Sequence, residues 1–246
     1  MENKSNVTAL ITGGNKGIGF ATAREFLAHG ASVIIAGRSE EKLRAAVEKL
    51  GSDRCGCVVW DIAQASSSRA AIDAANALFG PISVFVNNAG VVTAEDANVR
   101  DFLKKTEAAW DQTMDVNLKG MFFAIQAEAQ YMVDHGVQGH IVNVCSEMGF
   151  RPARDAYSIS KWGVRGMTMG LAPFLRERGI VLNGIAPGET ATEMMRQPEN
   201  TEFAIRSPRG KRAMPHEIAE EIYFLSTRDN IIGEILVSDV GRRMMY

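Results

Sequence analysis

The sequence predicts an α/β fold in which one doubly wound sheet of about seven parallel strands is flanked by helices on both faces. Short runs rich in Val and Ile alternate with longer amphipathic runs, as in repeated strand–helix units. The strand-like runs lack a clean polar alternation, which is typical of strands covered on both faces of a parallel sheet. A glycine-rich turn follows the first of these runs and opens directly into a helix.

The predicted elements divide the whole chain into strands and helices. The strand candidates are residues 7–12, 32–36, 56–60, 82–86, 139–145, 181–185 and 234–237. The helix candidates are residues 17–29, 40–50, 66–79, 107–135, 156–178 and 215–226. Gly30 and Gly51 follow the first two helices, where glycine commonly ends a helix, and Pro215 suits the first turn of the last one. Repeated units with right-handed crossovers then form a Rossmann-type sheet.

Two connections, residues 90–105 and 186–214, are longer than the rest. Both follow the carboxyl ends of predicted strands, where ligands bind in folds of this kind. The second contains three prolines and three methionines, and connections of such length are often lids or binding loops. We therefore expect a single domain over residues 1–246 that binds ligands at this edge of the sheet, with a lid inserted at about residues 188–213.

Composition and charge argue against several classes of protein. The 246 residues are 46% hydrophobic and 23% charged with a net charge of -2, so a strongly basic nucleic-acid surface is not expected. Cys55, Cys57 and Cys145 are too few for a disulfide framework, and no metal-ligand spacing accompanies them. No signal-like segment or membrane-spanning apolar run is visible. These observations favour a cytoplasmic protein without a metal, a membrane or a nucleic-acid partner.

A candidate phosphate-binding turn lies between the first strand and the first helix, and reads Thr-Gly-Gly-Asn-Lys-Gly-Ile-Gly over residues 12–19. Glycines permit a tight turn and let backbone N–H groups approach a pyrophosphate, which the positive end of the helix attracts. The third glycine of G-x-G-x-x-G would fall at Thr22, so the spacing differs from that motif, and a simple tight turn is the alternative. The candidate cofactor contacts in this turn are Gly13, Asn15, Lys16, Gly17, Ile18 and Gly19.

Basic residues beside the predicted cofactor favour NADP(H) over NAD(H). A preference for NAD usually shows as Asp or Glu at the end of the second strand, where it binds the ribose. Arg38 and Ser39 stand there instead, so no carboxylate repels a 2′-phosphate and the guanidinium can bind it. Lys16 can add a second positive charge; the alternative for both cations is a solvated surface. At the end of the third strand, Asp61, followed by Ile62, either accepts from an adenine amino group or caps the next helix.

Four polar residues form a candidate catalytic group. Tyr157 and Lys161 are four residues apart on a predicted helix and therefore share one face. Reduction of a ketone requires a proton for the forming alkoxide, and a nearby ammonium lowers the high pKa of a tyrosine. Ser146, at the end of the fifth strand, can polarise a carbonyl. Asn117 can hold a water or bend its helix so that a backbone carbonyl reaches Lys161. Taken singly, each residue has an ordinary structural alternative.

These motifs occur together and in one order, and through them the chain resembles the short-chain dehydrogenases/reductases, in particular the branch of 3-oxoacyl-carrier-protein reductases. The matching segments are residues 12–19, 87–90, 117, 146, 157–161 and 187–192, and residues 237–241 look like a degraded form of the family's terminal V-D-G-G. The resemblance implies a catalytic tetrad of Asn117, Ser146, Tyr157 and Lys161. It also implies cofactor contacts at Asn88, Ala89, Gly90, Tyr157, Lys161, Pro187, Gly188, Thr190 and Thr192.

We therefore expect an NADP(H)-dependent oxidoreductase that transfers a hydride between the nicotinamide and a ketone or secondary alcohol, with Tyr157 as general acid/base. The alternative is a dinucleotide-binding regulator or scaffold of the same fold without turnover. The family is usually dimeric or tetrameric through its long fourth and fifth helices, which implies a homo-oligomer. Because the family acts on 3-oxoacyl groups, sugar acids, steroids and small xenobiotic ketones, the identity of the substrate is open.

The expected substrate pocket lies between residues 147–155 and 186–214. The first segment is shorter than is usual in the family, with ten residues between Ser146 and Tyr157. The side chains expected to line the pocket are Met148, Phe150, Glu189, Met194 and Met195. Arg151 and Arg154 are expected to be solvated, the alternative being contact with an anionic substrate.

Two further features depart from the family pattern. Pro173 lies inside the predicted helix 156–178, where its missing N–H and its ring are expected to bend or end the helix, at a cost of about 3 kcal/mol. The chain ends with two arginines, two methionines and a tyrosine beyond the degraded terminal motif. Both features bear on packing and leave the predicted tetrad intact.

Overall fold

The structure, a computed structural model, describes residues 7–98, 101–192 and 212–242. The strands are β1 (Thr8–Thr12), β2 (Ser32–Gly37), β3 (Cys55–Val59), β4 (Val84–Asn87), β5 (Gly139–Val144), β6 (Ile180–Pro187) and β7 (Ile235–Ser238). The helices are α1 (Gly17–Ala28), α2 (Glu40–Leu50), α3 (Ser68–Phe79), α4 (Ala94–Asn98), α5 (Glu107–Met114), α6 (Met121–His135), α7 (Ala156–Arg176) and α8 (Pro215–Leu225). The seven strands form one parallel sheet in the order β3-β2-β1-β4-β5-β6-β7, which confirms the predicted doubly wound α/β fold.

The strand order reverses beside β1, and this reversal positions the site. Leu10 in β1 pairs with Ile34 of β2 on one side and with Phe85 of β4 on the other. The connections that leave β1 and β4 therefore diverge to opposite faces of the sheet and leave a crevice at the carboxyl ends of the strands.

Each face of the sheet is covered by its own apolar core. Successive strand residues point to opposite faces, so that Leu10 and Phe85 belong to one core while Ile11 and Val86 belong to the other. Residues of α3, α6 and α7 fill the first core, and residues of α1, α2 and α8 fill the second. This burial on both faces explains the uninterrupted apolar runs in the sequence. None of the helices in the described ranges is long and apolar enough to cross a membrane.

A buried line of polar side chains connects the centre of the sheet to α6 and α7. Asn87 Nδ2 donates to Glu128 Oε2 (3.0 Å) and to Asn143 Oδ1 (3.1 Å). Asn143 Nδ2 then donates to Thr168 Oγ1 (2.9 Å). Burial raises the pKa of Glu128 to about 8, against the opposing effect of the hydrogen bond from Asn87. These bonds fix the position of both helices relative to β4 and β5.

The helix predicted over residues 107–135 is interrupted by a π-helical turn. This turn, Asp115–Gly120, joins α5 to α6 and buries the side chain of Asn117. π-helical turns arise where the i→i+4 bonding pattern gives way locally, and they are frequent at functional sites. The interruption depends on what Asn117 contacts, so hydrophobic periodicity alone does not reveal it.

Pro173 does not end its helix, which was one of the two outcomes expected from the sequence. Helix α7 continues through Pro173 to Arg176. Pro173 lies on the exposed side of α7, where water can bond the carbonyl that loses its helical donor. Only the last residues of the helix follow Pro173, so its ring and missing N–H disturb few intrahelical hydrogen bonds.

Replacement of Glu128 by Gln should flatten the pH dependence of stability. The pKa of Glu128 is raised from 4.5 to about 8 in the folded chain, so folding takes up a proton between these values. Stability should then fall as the pH rises through this window, by up to about 1.4 kcal/mol per pH unit. Because Gln keeps an oxygen acceptor for Asn87 and has no proton to gain, the variant should be more stable than the wild type at pH 8, with the difference shrinking toward pH 5. Urea unfolding at several pH values measures this.

The matched control is Glu177→Gln, at an exposed carboxylate that follows α7. Its unfolding free energy should follow the wild-type pH profile. An identical pH profile for Glu128→Gln and the wild type would contradict the assignment of the proton to Glu128.

Candidate active site

The turn between β1 and α1 is held in place by the end of β4. The Thr12 hydroxyl accepts hydrogen bonds from the backbone N–H groups of Asn88 (3.1 Å) and Ala89 (3.0 Å). Asn88 Nδ2 donates to the carbonyl oxygens of Thr12 (2.9 Å) and Gly13 (3.2 Å). Gly13 has φ 67°, a left-handed conformation that favours glycine, and its N–H donates to Ala36 O at 2.7 Å. Contacts from β2 and β4 thus fix the turn that follows β1.

Gly19 allows the first turn of α1 to lie against this loop. A Cβ atom on residue 19 would come within 2.4 Å of Gly13 O and 2.5 Å of Asn88 Nδ2. Gly19 is buried beneath the turn. Gly19 is among the cofactor contacts predicted from the sequence, and in the fold it packs beneath the glycine turn.

A cleft opens at the carboxyl ends of β1 to β4, where the strand order reverses. The predicted residues that line it are Gly13, Asn15, Lys16, Gly17, Ile18, Arg38, Asp61, Ile62, Asn88, Ala89, Gly90 and Thr192. The lining also includes Thr12, Ala36, Gly37, Trp60, Val91 and Val116, which were not predicted as cofactor contacts. Trp60 precedes Asp61 and Val91 follows Gly90, so their position after a strand could have predicted that they line the cleft.

The basic residues at the cleft are placed as predicted, and Ser39 is not. Arg38 and Lys16 are exposed on its rim. Ser39 instead caps the N-terminus of α2, where its hydroxyl accepts from the N–H of Lys42 (3.4 Å). Serine is a favoured residue at this position, so its presence after Arg38 has a structural explanation.

Asp61 and Ile62 form the wall of the cleft at the end of β3. Asp61 Oδ1 accepts from the N–H of Ala63 (3.2 Å), so the carboxylate organises the local backbone while it lines the cleft. Ile62 is buried, and its carbonyl lies so close to Gly120 that a Cβ on residue 120 would come within 2.3 Å of the oxygen. The cleft wall thereby rests on the π-helical turn.

Asn117 fastens the loop after β4 to helix α7. Its Oδ1 accepts from Val91 N (2.8 Å), and its Nδ2 donates to Val91 O (2.8 Å) and to Ser160 Oγ (3.4 Å). The expected local distortion of the helix is present as the π-helical turn. The backbone carbonyl that accepts from Lys161 Nζ is that of Val144 at the end of β5 (3.0 Å), rather than one beside Asn117.

Ser146 and Tyr157 meet at the end of β5. Their side chains are hydrogen-bonded, and the Ser146 hydroxyl also accepts from Met148 N (3.2 Å). Burial raises the pKa of Tyr157 to about 12, and the hydrogen bond with Ser146 opposes this rise. From the sequence, Lys161 is expected to lower this pKa. Lys161 Nζ lies 5.7 Å from the Tyr157 ring centroid, and burial lowers the pKa of the ammonium itself, so burial dominates among the chain's own groups.

The cleft and the tetrad adjoin at Gly90. A Cβ on residue 90 would lie 3.4 Å from Asn117 Oδ1 and 3.8 Å from Lys161 Nζ. On the opposite side, the methyl group of Thr192 would lie 3.4 Å from a Cβ on Gly17. A ligand that extends along the cleft therefore passes from the glycine turn to Lys161.

The segment after β6 is anchored at both ends. Pro187 is the last residue of β6, and Gly188 N donates to Ser238 O of β7 (2.8 Å). The Thr190 hydroxyl donates to Gly188 O (3.1 Å), and Thr190 forms a parallel bridge with Ala213. The predicted contacts here thus have a fixed backbone beside the cleft.

Residues 193–211, which make up most of the expected lid and include Met194 and Met195, lie outside the described residues. The ends of this connection are described. Glu189 Oε2 pairs with Arg212 Nε at 3.1 Å, which joins the two ends at the base of the connection.

The short segment 147–155 differs from its expected arrangement in one respect. Met148 and Phe150 are half-buried, and Arg154 is exposed as expected. Arg151 is not a solvated loop charge: its side chain is 17% exposed and its Nη2 pairs with Glu147 Oε2 at 2.8 Å. Glu147 is buried, and burial raises its pKa against the attraction of neighbouring arginines. A carboxylate directly behind the loop draws Arg151 inward.

Sequence comparison identifies relatives that match nearly the whole chain. The family model for short chain dehydrogenases matches residues 7–202. Galactitol 2-dehydrogenase (L-tagatose-forming) of Cereibacter sphaeroides is 37% identical over 244 residues, which cover 95% of this chain and 93% of that protein. The 3-oxoacyl-[acyl-carrier-protein] reductase of Thermotoga maritima is 35% identical over 243 residues, which cover 94% of this chain and 96% of that protein.

Solved structures agree with the observed architecture. A crystal structure of a variant of actinorhodin polyketide ketoreductase with NADPH has a TM-score of 0.84 and 27% identity, and the match covers 98% of this chain and 99% of that one. A short-chain type dehydrogenase/reductase from Mycobacterium marinum has a TM-score of 0.87 and 26% identity, with coverage of 96% and 95%. The similarity therefore includes the sheet and both of its helical layers.

Proposed function

Because the chain belongs to the short-chain dehydrogenase/reductase family, we propose that it is an NADP(H)-dependent oxidoreductase acting on a ketone or a secondary alcohol. One observation carries the proposal. The cleft at the strand-order reversal leads at Gly90 directly to Lys161, and the hydrogen-bonded side chains of Ser146 and Tyr157 lie on the same helix–strand pair. Relatives named as a dehydrogenase of galactitol and as a 3-oxoacyl reductase support the class of reaction and leave the substrate open.

The residues of the cleft fit a nicotinamide dinucleotide. The glycine turn and the N-terminus of α1 offer backbone N–H groups and a favourable field for the pyrophosphate. Asn88, Ala89 and Gly90 would lie along the ribose, and the anchored segment from Pro187 through Thr190 to Thr192 would hold the nicotinamide end. When bound, the nicotinamide supplies or accepts the hydride.

Tyr157 would move the proton of the reaction. Burial keeps its side chain in the phenol form, which is the form that donates to the carbonyl oxygen during reduction. The Ser146 hydroxyl would bind the same oxygen and stabilise the charge that develops on it. Alcohol oxidation needs the phenolate, which burial opposes and which the Lys161 ammonium, 5.7 Å from the Tyr157 ring centroid, would favour only in part. Asn117 would act indirectly, because it holds Val91 and Ser160 in position and does not itself contact the reacting groups.

Charge at the cleft supports NADP(H) as the preferred cofactor. Arg38 is exposed at the end of β2, and Lys16 flanks the glycine turn on the same rim. The first carboxylate after Arg38 is Glu40, whose Oε1 pairs with Arg44 Nη2 at 2.6 Å. A 2′-phosphate at this rim would meet a guanidinium that can bind it with two parallel hydrogen bonds.

A homo-oligomer, dimeric or tetrameric, is supported by exposed apolar side chains on α6 and α7. The large ones on these helices are Phe122, Phe123, Val133, Ile159, Trp162, Met169 and Phe174. Apolar patches of this kind on a globular protein mark interaction surfaces. Sedimentation at micromolar concentration should give a mass that is a multiple of 26.8 kDa, and a monomer alone would overturn the assignment.

Tyr157→Phe distinguishes an oxidoreductase from a dinucleotide-binding regulator or scaffold. Loss of the phenol proton should lower kcat for ketone reduction by about 10²–10⁴-fold, while the Kd for NADPH stays within about threefold, since the ring remains. NADPH oxidation with a panel of ketones, followed by absorbance, measures the rate, and fluorescence titration measures binding.

The matched control is Tyr131→Phe. Tyr131 is buried, and its hydroxyl donates to Asn76 Oδ1 and accepts from Ile82 N. Its loss should lower the Tm and leave kcat nearly unchanged. A regulator without turnover would show no ketone reduction in the wild type, and equal kcat values for wild type and Tyr157→Phe would exclude Tyr157 as the proton donor.

Arg38→Gln should weaken NADPH binding at least tenfold and change the Kd for NADH by less than twofold, because only NADPH carries the 2′-phosphate. Arg24→Gln is the control, since Arg24 is an exposed arginine on α1 outside the cleft lining; it should leave both Kd values unchanged. Tighter binding of NADH than NADPH by the wild type would refute the assignment of Arg38.

A further inference from the structure

Five charged side chains form an alternating line behind the substrate side of the site. Arg151 Nη2 pairs with Glu147 Oε2 (2.8 Å), and Glu147 Oε1 pairs with Arg242 Nη1 (3.0 Å). The same Arg242 Nη1 pairs with Glu189 Oε1 (2.5 Å), and Glu189 Oε2 pairs with Arg212 Nε (3.1 Å). Each of the two carboxylates is therefore shared between two guanidinium groups, and Arg242 stands at the centre.

The line is withdrawn from solvent along its whole length. The side chains of its members are between 5% and 21% exposed. Charges at this depth are weakly screened by salt, and removal of one partner leaves the other as an uncompensated buried charge. The line therefore differs from the exposed ion pairs on the helices of this chain, which contribute little to stability.

Each carboxylate follows directly on a residue of the site. Glu147 comes after Ser146, whose hydroxyl and carbonyl oxygens accept from Met148 N (3.2 Å) and Gly149 N (2.9 Å). Glu189 comes after Gly188, whose N–H is fixed on β7. The central arginine thus joins the loop after β5 to the segment after β6.

Arg242 is presented by a constrained turn after β7. Gly241 N donates to Asp239 Oδ1 and Arg242 N donates to Asp239 O, both at 3.0 Å. Val240, between Asp239 and Gly241, has φ 50°, a left-handed conformation that is rare for a β-branched residue. The surrounding hydrogen bonds and ion pairs hold the turn in this conformation.

We propose that Arg242 is a positioning residue, which clamps the loop after Ser146 to the segment after Gly188 and so sets the shape of the substrate side of the site. The expected kinetic effects of losing Arg242 rest on the proposed function. The expected loosening of the two segments rests on the ion pairs alone. Arg242 acts through Glu147 and Glu189, and its guanidinium is engaged by these carboxylates. The substrate that fits this arrangement is one whose recognition does not require these arginines as anion ligands.

The test compares the full-length wild type with Arg242→Gln, in the presence of saturating NADPH. Hydrogen–deuterium exchange should become at least fivefold faster at the amides of residues 148–149 and 188–191, while the amides of β1, β2 and β4 keep their protection. With a ketone substrate, kcat/KM should fall at least tenfold, largely through a higher KM for the ketone. The Kd for NADPH should rise by a smaller factor than kcat/KM falls, since the glycine turn and Arg38 are untouched and only the segment at the nicotinamide end is loosened.

The matched control is Arg69→Gln. Arg69 also bridges two carboxylates, Asp73 (3.2 Å) and Asp134 (3.0 Å), but its side chain is 45% exposed. Its loss should change neither exchange at the two segments nor kcat/KM. Arg242→Lys, which keeps the positive charge, should retain more of the wild-type kcat/KM than Arg242→Gln.

Glu189→Gln provides a second route if Arg242→Gln does not fold, because Glu189 is the most exposed member of the line. In this variant, the amides of residues 188–191 should exchange faster than those of residues 148–149. Where Arg242→Gln folds, the double variant Glu189→Gln/Arg242→Gln should lower kcat/KM no further than Arg242→Gln alone. Unchanged exchange in both segments, or an increase spread evenly over the sheet, would overturn the clamp. If the wild type reduces no ketone, the proposed function fails, and the exchange measurement still decides whether the clamp exists.

Discussion

The reciprocal hydrogen bonds between Thr12 and Asn88 are the contact on which the rest of the site depends. They close the glycine turn after β1 against the end of β4, and this is possible because β1 lies between β2 and β4 in the sheet. Because β4 lies next to β1, the chain that leaves β4 at Asn88 reaches Gly90, which lies beside Asn117 and Lys161. One pairing of parallel strands thus positions both the cofactor turn and the entrance to the tetrad.

A second constraint is the polar interior between the sheet and helices α6 and α7. The bonds from Asn87 to Glu128 and through Asn143 to Thr168 cross the apolar core. The bond from Asn117 to Ser160 continues this contact toward Tyr157. Buried polar groups restrict helix placement more tightly than apolar packing does, since a shifted helix would leave them without hydrogen bonds. Helix α7 is therefore located by directional bonds along the face that carries Tyr157 and Lys161.

The sequence predicted most of what depends on local pattern. All seven strands lie within two residues of their predicted limits, because burial on both faces leaves unbroken apolar runs. Most of the predicted cofactor residues line one cleft, since each follows a strand whose carboxyl end meets that edge of the sheet. For Ser39 the structure shows the role of a helix cap, and the predicted cofactor contact stays a prediction.

What the sequence did not reveal arises from contacts between distant residues. The π-helical turn at Asn117 depends on Val91 and Ser160, and the tolerance of Pro173 depends on which side of α7 faces solvent. Arg151 looked like a solvated charge because its partner is a buried carboxylate, whose other partner lies 95 residues further along the chain. The raised pKa of Tyr157 likewise reflects burial, which the spacing of Tyr157 and Lys161 does not report.

The ion pairs of Arg242 also connect the site to the order in which the chain is made. During synthesis, residues 7–192 are made before the last strand and Arg242. A nascent chain can therefore assemble the sheet from β1 to β6, with its cleft and tetrad, while Glu147 and Glu189 still lack their shared counter-ion. Arg242 therefore joins the loop after β5 to the segment after β6 only after the strands that carry the cleft have been made.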